Sequence, residues 1–159
     1  MVNVESHPNR RLALMLLAAA SLSPIASGQA AEDSSITIHK DPNCGCCSGW
    51  ALHLQKNGFA TKIIETSQTD AVKKRLGVPG DLASCHTAEV GGYVVEGHVP
   101  ATALKRLLAE KPVATGLAVA GMPMGSPGME GGQPERYDVV LFGLSERRVY
   151  MRFIGERQI

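Results

Sequence analysis

Three cysteines within four residues, Cys44-Gly45-Cys46-Cys47, constrain this chain more than any other feature. They fall where a β-rich run gives way to a helical one. Residues 34–39 (SSITIH) alternate and are rich in β-branched side chains, which predicts a strand, and Asp41-Pro42-Asn43 is turn sequence. Residues 48–57 then place Trp50, Ala51 and Leu54 at helical spacing, with Gly58 as the stop. Cysteines at a helix start lie near unsatisfied amide N–H groups and the positive end of the helix dipole. That environment favours thiolate over thiol, and the thiolate is both nucleophile and metal ligand. A fourth thiol, Cys85, is followed directly by His86.

The rest of the chain repeats the alternation. Residues 61–66 (TKIIET) predict a second strand and 69–76 a second helix, ended by Gly77 and Pro79. Residues 89–96 predict a third strand and 101–109 a third helix, its first turn primed by Pro100. The stretch 118–134 interleaves Gly and Pro with Met122, Met124 and Met129, which reads as a loop. Two β-rich runs, 137–142 and 148–154, predict a closing hairpin. Alternating strands and helices predict a small α/β layer with a parallel element.

Three chemistries compete for the four sulfurs. An even cysteine count suits a disulfide framework, with Cys44 to Cys47 and Cys46 to Cys85, or close variants of that pairing, the feasible set, since adjacent Cys46 and Cys47 pair only under strain. Cys44 and Cys47 also carry the C-x-x-C spacing of thiol–disulfide oxidoreductases, although Cys46 adds a sulfur that a simple dithiol does not need. The third reading is a metal. Structural zinc sites take cysteines in separated pairs and iron–sulfur sites space them further apart, whereas crowded thiolates beside a thioether-rich loop favour Cu(I). His86, Met122, Met124 and Met129 are the candidate additional ligands; the methionines suit core gap-filling equally well. His39, His53 and His98 read as surface or hydrogen-bonded residues, and Trp50 as core.

Other functions lack their signatures. Sixteen Lys plus Arg against fifteen Asp plus Glu leave a formal charge of +1, which supports no nucleic-acid footprint. No Walker loop, G-x-S-x-G, H-E-x-x-H or G-x-G-x-x-G is present. Residues 1–30 have the pattern of a removed signal peptide: Arg10 and Arg11, an apolar run over 12–22, then small residues around Ala26, Gly28 and Ala30. That run is shorter than the roughly 20 residues of a membrane-spanning helix, so no retained span is expected. Export would place every thiol in an oxidising compartment, where pairing, metal or a redox partner must account for it.

The motifs KDPNCGCCSGW (40–50), SCHTAEVGGYVVEGHVPA (84–101) and GMPMGSPGMEGG (121–132) together resemble the CopG-type family of exported metal-binding proteins linked to copper resistance. The resemblance runs over 37–154. It implies a single thioredoxin-like domain over 34–156, βαβαβα plus a C-terminal β-hairpin, in which the redox position has become a copper site. It further implies a periplasmic role in copper homeostasis, with Cys44, Cys46, Cys47 and Cys85 as metal ligands and interconversion of Cu(I) and Cu(II) as the expected redox chemistry. Copper ions and other periplasmic copper-handling proteins are the implied partners. Pro100 resembles the proline, often cis, that such folds place beside the cysteine site. Here a helix follows that proline at once, where an ordinary thioredoxin order has further strands.

Overall fold

A computed structural model of the protein describes residues 35–144 and 146–159. The segment expected to be a signal peptide, 1–30, lies outside them. Among the described residues the elements run β1 (Ser35–Lys40), α1 (Gly45–Lys56), β2 (Ala60–Glu65), α2 (Thr69–Arg75), a 3-10 turn (Gly80–Leu82), β3 (His86–Val90), β4 (Tyr93–Glu96), α3 (Ala101–Glu110), β5 (Gly116–Ala118), β6 (Arg136–Phe142), β7 (Arg147–Ile154) and β8 (Arg157–Gln158). All eight strands join one mixed sheet in the order β2-β1-β3-β4-β5-β6-β7-β8. β1 and β2 are parallel, as are β4 and β5, and the other neighbours are antiparallel. The α/β class expected from the alternation is thus what forms.

Side-chain periodicity explains how each element packs. Along β1 the residues alternate, with Ile36 and Ile38 fully buried. α1 turns Cys47, Trp50, Ala51 and Leu54 inward, the 3.6-residue repeat of a helix lying on a sheet. The Trp50 indole N–H donates to the Val99 carbonyl at 2.8 Å, so the bulkiest core residue is also polar-satisfied. Ile36, Ile38, Trp50, Ala51 and Leu54 share one core with Leu104 and Leu107 of α3 and with Val139, Leu141 and Phe153 of the last strands. No helix of the described residues is long and apolar enough to cross a membrane.

The structure corrects the expected strand list in three places. The third predicted strand is two, β3 and β4, paired as an antiparallel hairpin around Gly91-Gly92. β-Rich flanks on both sides concealed that turn. β5 and β8 were not expected, because three and two residues are too few to show a period. α1 begins at Gly45, so Cys46 and Cys47 stand inside its first turn rather than ahead of it. No cis peptide occurs among the described residues, and Pro100 is trans, serving as the residue before α3.

Strand register decides which loops meet. In the antiparallel pair β1–β3, Lys40 at the end of β1 faces His86 at the start of β3. The turn after β1 therefore emerges beside the residue before β3. In β3–β4, Thr87 faces Glu96, which brings the end of β4 to the same place. β5 runs parallel to β4 with Ala118 beside Glu96, so the Gly- and Met-rich loop leaves the sheet from that edge as well. Four chain segments that are distant in sequence converge at one end of the sheet.

Candidate metal centre

The first of these segments is the Asp41–Cys44 turn. Asp41 accepts the Asn43 N–H on its carboxylate at 2.8 Å and the Cys44 N–H on its carbonyl at 3.0 Å, the geometry that makes Asp favoured in such turns. The buried Lys40 ammonium donates to the Asp41 and Pro42 carbonyls from below, at 2.9 and 3.3 Å. The turn delivers Cys44 to the head of α1, with Cys46 and Cys47 in the first helical turn.

The four sulfurs meet at one point. One donor atom from each of Cys44, Cys46, Cys47 and Cys85 lies within 4.8 Å of the others, an arrangement able to hold a metal ion. Cys44 and Cys47 are joined as a disulfide, and Cys46 and Cys85 are free thiols. Cys46 Sγ is 3.5 Å from Cys44 Sγ and 3.8 Å from Cys85 Sγ. Of the two bridges that the cysteine arithmetic permits, the short one is closed and the long one is not.

A second group, Cys85 with His86 and His98, shares the Cys85 sulfur. His98 Nε2 stands 3.1 Å from Cys85 Sγ, and His86 Nδ1 stands 3.3 Å from it. His98 Nδ1 donates to the Pro127 carbonyl at 2.8 Å. A carbonyl can only accept, so the proton is on Nδ1 and the Nε2 lone pair faces the sulfur. His86 is fully buried and its Nε2 has no hydrogen-bond partner, an orphaned polar atom inside the site. Its ring packs on Trp50 with centroids 4.4 Å apart.

Electrostatics keep this cluster neutral. Burial first, then repulsion from the neighbouring His98 were both rings protonated and from the Lys73 ammonium, holds His86 well below the ordinary imidazole range, and burial lowers His98 as well. Both rings therefore present neutral nitrogen at physiological pH, the form that binds metals. Burial first, then the neighbouring Cys46, pushes the Cys85 thiol up to about 12. Cys85 accordingly keeps its proton until a cation displaces it, as a ligand sulfur does on metal binding.

Glycine contacts fold the Met-rich loop against this centre. Gly128 has φ +86°, and a Cβ there would stand 2.5 Å from the Cys46 carbonyl oxygen and 2.6 Å from the Trp50 nitrogen. Gly49 faces it at the same contact. Met129, next to Gly128, is half-buried; Met124 is half-buried and packs over Gly132; Met122 is exposed. Of the sequence-derived candidates, the four cysteines and His86 come together directly. His98, whose sequence setting suggests a surface or hydrogen-bonded residue, lies in the centre. Its one advance signal was its place two residues before Pro100, the position expected beside the cysteines. His53, outside the centre, accepts the Ala101 N–H at 3.1 Å and so caps α3.

Comparison with known proteins bears on this centre. The family described as "Protein of unknown function, DUF411" matches residues 82–129, which include Cys85, His86, His98 and the three methionines of the Met-rich loop. None of the curated proteins matches the chain. Two solved structures do. "Copper resistance protein copG- Form 1" is 44% identical with a TM-score of 0.73, covering 78% of this chain and 100% of that one. "Copper resistance protein copG- Form 2" is 43% identical with a TM-score of 0.71, covering 75% and 97%.

Proposed function

The chain belongs to the family of the copper resistance protein CopG, and from that premise we propose that it is an exported, periplasmic copper-binding protein of copper homeostasis, with copper as its cargo. With the Cys44–Cys47 disulfide reduced, Cys44, Cys46, Cys47 and Cys85 are the sulfur ligands in this reading, His98 and His86 add nitrogen, and Met129, Met124 and Met122 are the accessory thioethers. One observation carries it: the Cys85 sulfur lies within 3.8 Å of the Cys46 sulfur and within 3.3 Å of two neutral imidazole nitrogens, one of them in a ring whose other nitrogen is unpartnered. Soft sulfur and imidazole donors suit copper.

The domain over 34–156 is thioredoxin-like in this proposal. The order β2-β1-β3-β4, with β1 parallel to β2 and the cysteine motif at the β1–α1 junction, supports it. The Cys44–Cys47 pair supports interconversion of Cu(I) and Cu(II) in this reading. As the disulfide found here it can accept two electrons and two protons, the electrons coming from two Cu(I) that become two Cu(II). Only the dithiol, once formed, can return the two electrons to two Cu(II) as the bridge closes and two protons leave.

The test is anaerobic Cu(I) titration of the reduced protein against a chromogenic chelator, with thiols counted before reduction, after it and after loading. Two reactive thiols, then four, then none is the expected series, and Cys85→Ser should weaken binding. Four thiols that stay reactive while the chelator keeps the copper would remove the copper reading. A thiol–disulfide oxidoreductase is then the second reading, favoured by the free Cys46 thiol lying 3.5 Å from a sulfur of the Cys44–Cys47 disulfide. Its mark is disulfide reduction that survives removal of copper.

A further inference from the structure

Beside the metal centre lies a buried ionic cluster that the copper reading does not use. Glu96, at the end of β4, is fully buried, and Lys73 reaches it from α2. The Lys73 ammonium donates to Glu96 Oε1 at 2.7 Å and to Thr87 Oγ1 at 3.1 Å. The Thr87 hydroxyl donates to Glu96 Oε2 at 2.6 Å, and the Ser84 backbone N–H donates to Oε1 at 2.6 Å. Ser84 and Thr87 are the residues on either side of Cys85-His86. The backbone closes the same frame, because the Gly97 N–H donates to the His86 carbonyl at 3.0 Å.

We propose that Glu96, with Lys73 as its counter-ion, is a positioning residue that clamps the Cys85-His86 donor pair from both flanks; the consequence for metal affinity rests on the copper reading above. A buried ion pair is a poor device for stability alone, since apolar residues of equal volume often do as well or better. What this carboxylate supplies is geometry. One oxygen fixes the Ser84 backbone N–H just before Cys85 and the other fixes the Thr87 hydroxyl just after His86, so the sulfur and the imidazole are held at the start of β3 where Cys46 and His98 meet them. Ser84 adds a further tie, its hydroxyl donating to the Gly121 carbonyl at the start of the Met-rich loop.

Removing one member of a buried pair strands the other, so the test changes both together. In Lys73→Met/Glu96→Gln the charge is gone, but the amide can still accept the Ser84 N–H and donate to Thr87. In Lys73→Met/Glu96→Leu neither contact survives. Two readings are taken on the reduced full chain: the alkylation rate of Cys85 relative to Cys46 without metal, and Cu(I) affinity by chelator competition. The Gln variant is expected to match the parent in both. The Leu variant is expected to alkylate Cys85 several-fold faster relative to Cys46 and to bind Cu(I) about 10- to 100-fold more weakly, the usual scale for groups that orient ligands. A folded Leu variant with the parent's alkylation ratio and affinity overturns the proposal, and so does a Gln variant as impaired as the Leu one. If the Leu variant does not fold, Thr87→Val decides: it removes one arm of the clamp and keeps the ion pair, and an unchanged alkylation ratio overturns the proposal. If the parent itself binds no Cu(I), the copper reading fails while the alkylation arm still judges the clamp.

Discussion

Replacing Gly128 by Ala tests whether the Met-rich loop is built onto the cysteine helix. Two costs add at this position. The first is conformational: φ is +86°, where a Cβ costs an L-residue about 1–2 kcal/mol. The second is steric. The new methyl would stand 2.5 Å from the Cys46 oxygen and 2.6 Å from the Trp50 nitrogen, both backbone atoms of α1, against an ordinary contact of at least 3.4 Å. Loop and helix must separate by most of an ångström, and overpacking of this kind costs about 1–3 kcal/mol. Gly77→Ala isolates the first cost, because Gly77 has φ +72° with nothing within 4 Å of its would-be Cβ. Chemical denaturation should therefore place Gly128→Ala about 2–5 kcal/mol below the parent and Gly77→Ala only about 1–2 kcal/mol below it. In thermal melts the Gly128 variant should fall by about 8–20 °C. The separation also pulls Pro127 from His98, so the His98 ring loses the acceptor that sets its tautomer. Equal losses in the two variants would refute the argument that the loop is seated on α1.

Acid should destabilise the metal-free, reduced protein as pH falls below 6.5. His86 and His98 have lowered values in the fold, so below the ordinary 6.5 the unfolded chain takes up protons that the folded one refuses. Stability is complete above that value and falls as pH drops, by up to about 1.4 kcal/mol per pH unit for each histidine; Glu96, raised by burial, opposes them with one proton. Urea midpoints that do not fall from pH 7.5 to 5.5 would contradict the burial of the two rings. Trp50, the single tryptophan of the chain, packs tilted against His86 with ring centroids 4.4 Å apart, so its emission should be quenched as copper loads and should stop changing at the stoichiometry the chelator gives. Unchanged emission at full loading would place the cargo away from His86.

The elements with a clear period were legible from the residues. Trp50, Ala51 and Leu54 marked α1, the alternation around Ile36 and Ile38 marked β1, and the two late β runs marked β6 and β7. What escaped was pairing. Gly91-Gly92 sits inside a continuous β-rich stretch, and whether such a glycine pair bulges a strand or reverses it depends on the partner strand, which local pattern does not contain. The centre divides in the same way. Cys44, Cys46 and Cys47 are neighbours in the chain, and Cys85 with His86 could be guessed as their complement. His98 enters only because Thr87 pairs with Glu96, and Glu96 with Ala118, registers that no run of residues announces. The disulfide between Cys44 and Cys47 was one of several states compatible with the spacing.

The donor groups come from the head of α1, the start of β3 and the end of β4, and Cys46 and Cys85 are 39 residues apart. An ion held by them is a tie across the chain, closing loops that would otherwise open when the fold breathes. Any ligand bound by the folded form alone also lowers the population of the open one. Proteases cut the open form, so protein loaded with an ion at this centre should outlast the metal-free protein under limited proteolysis.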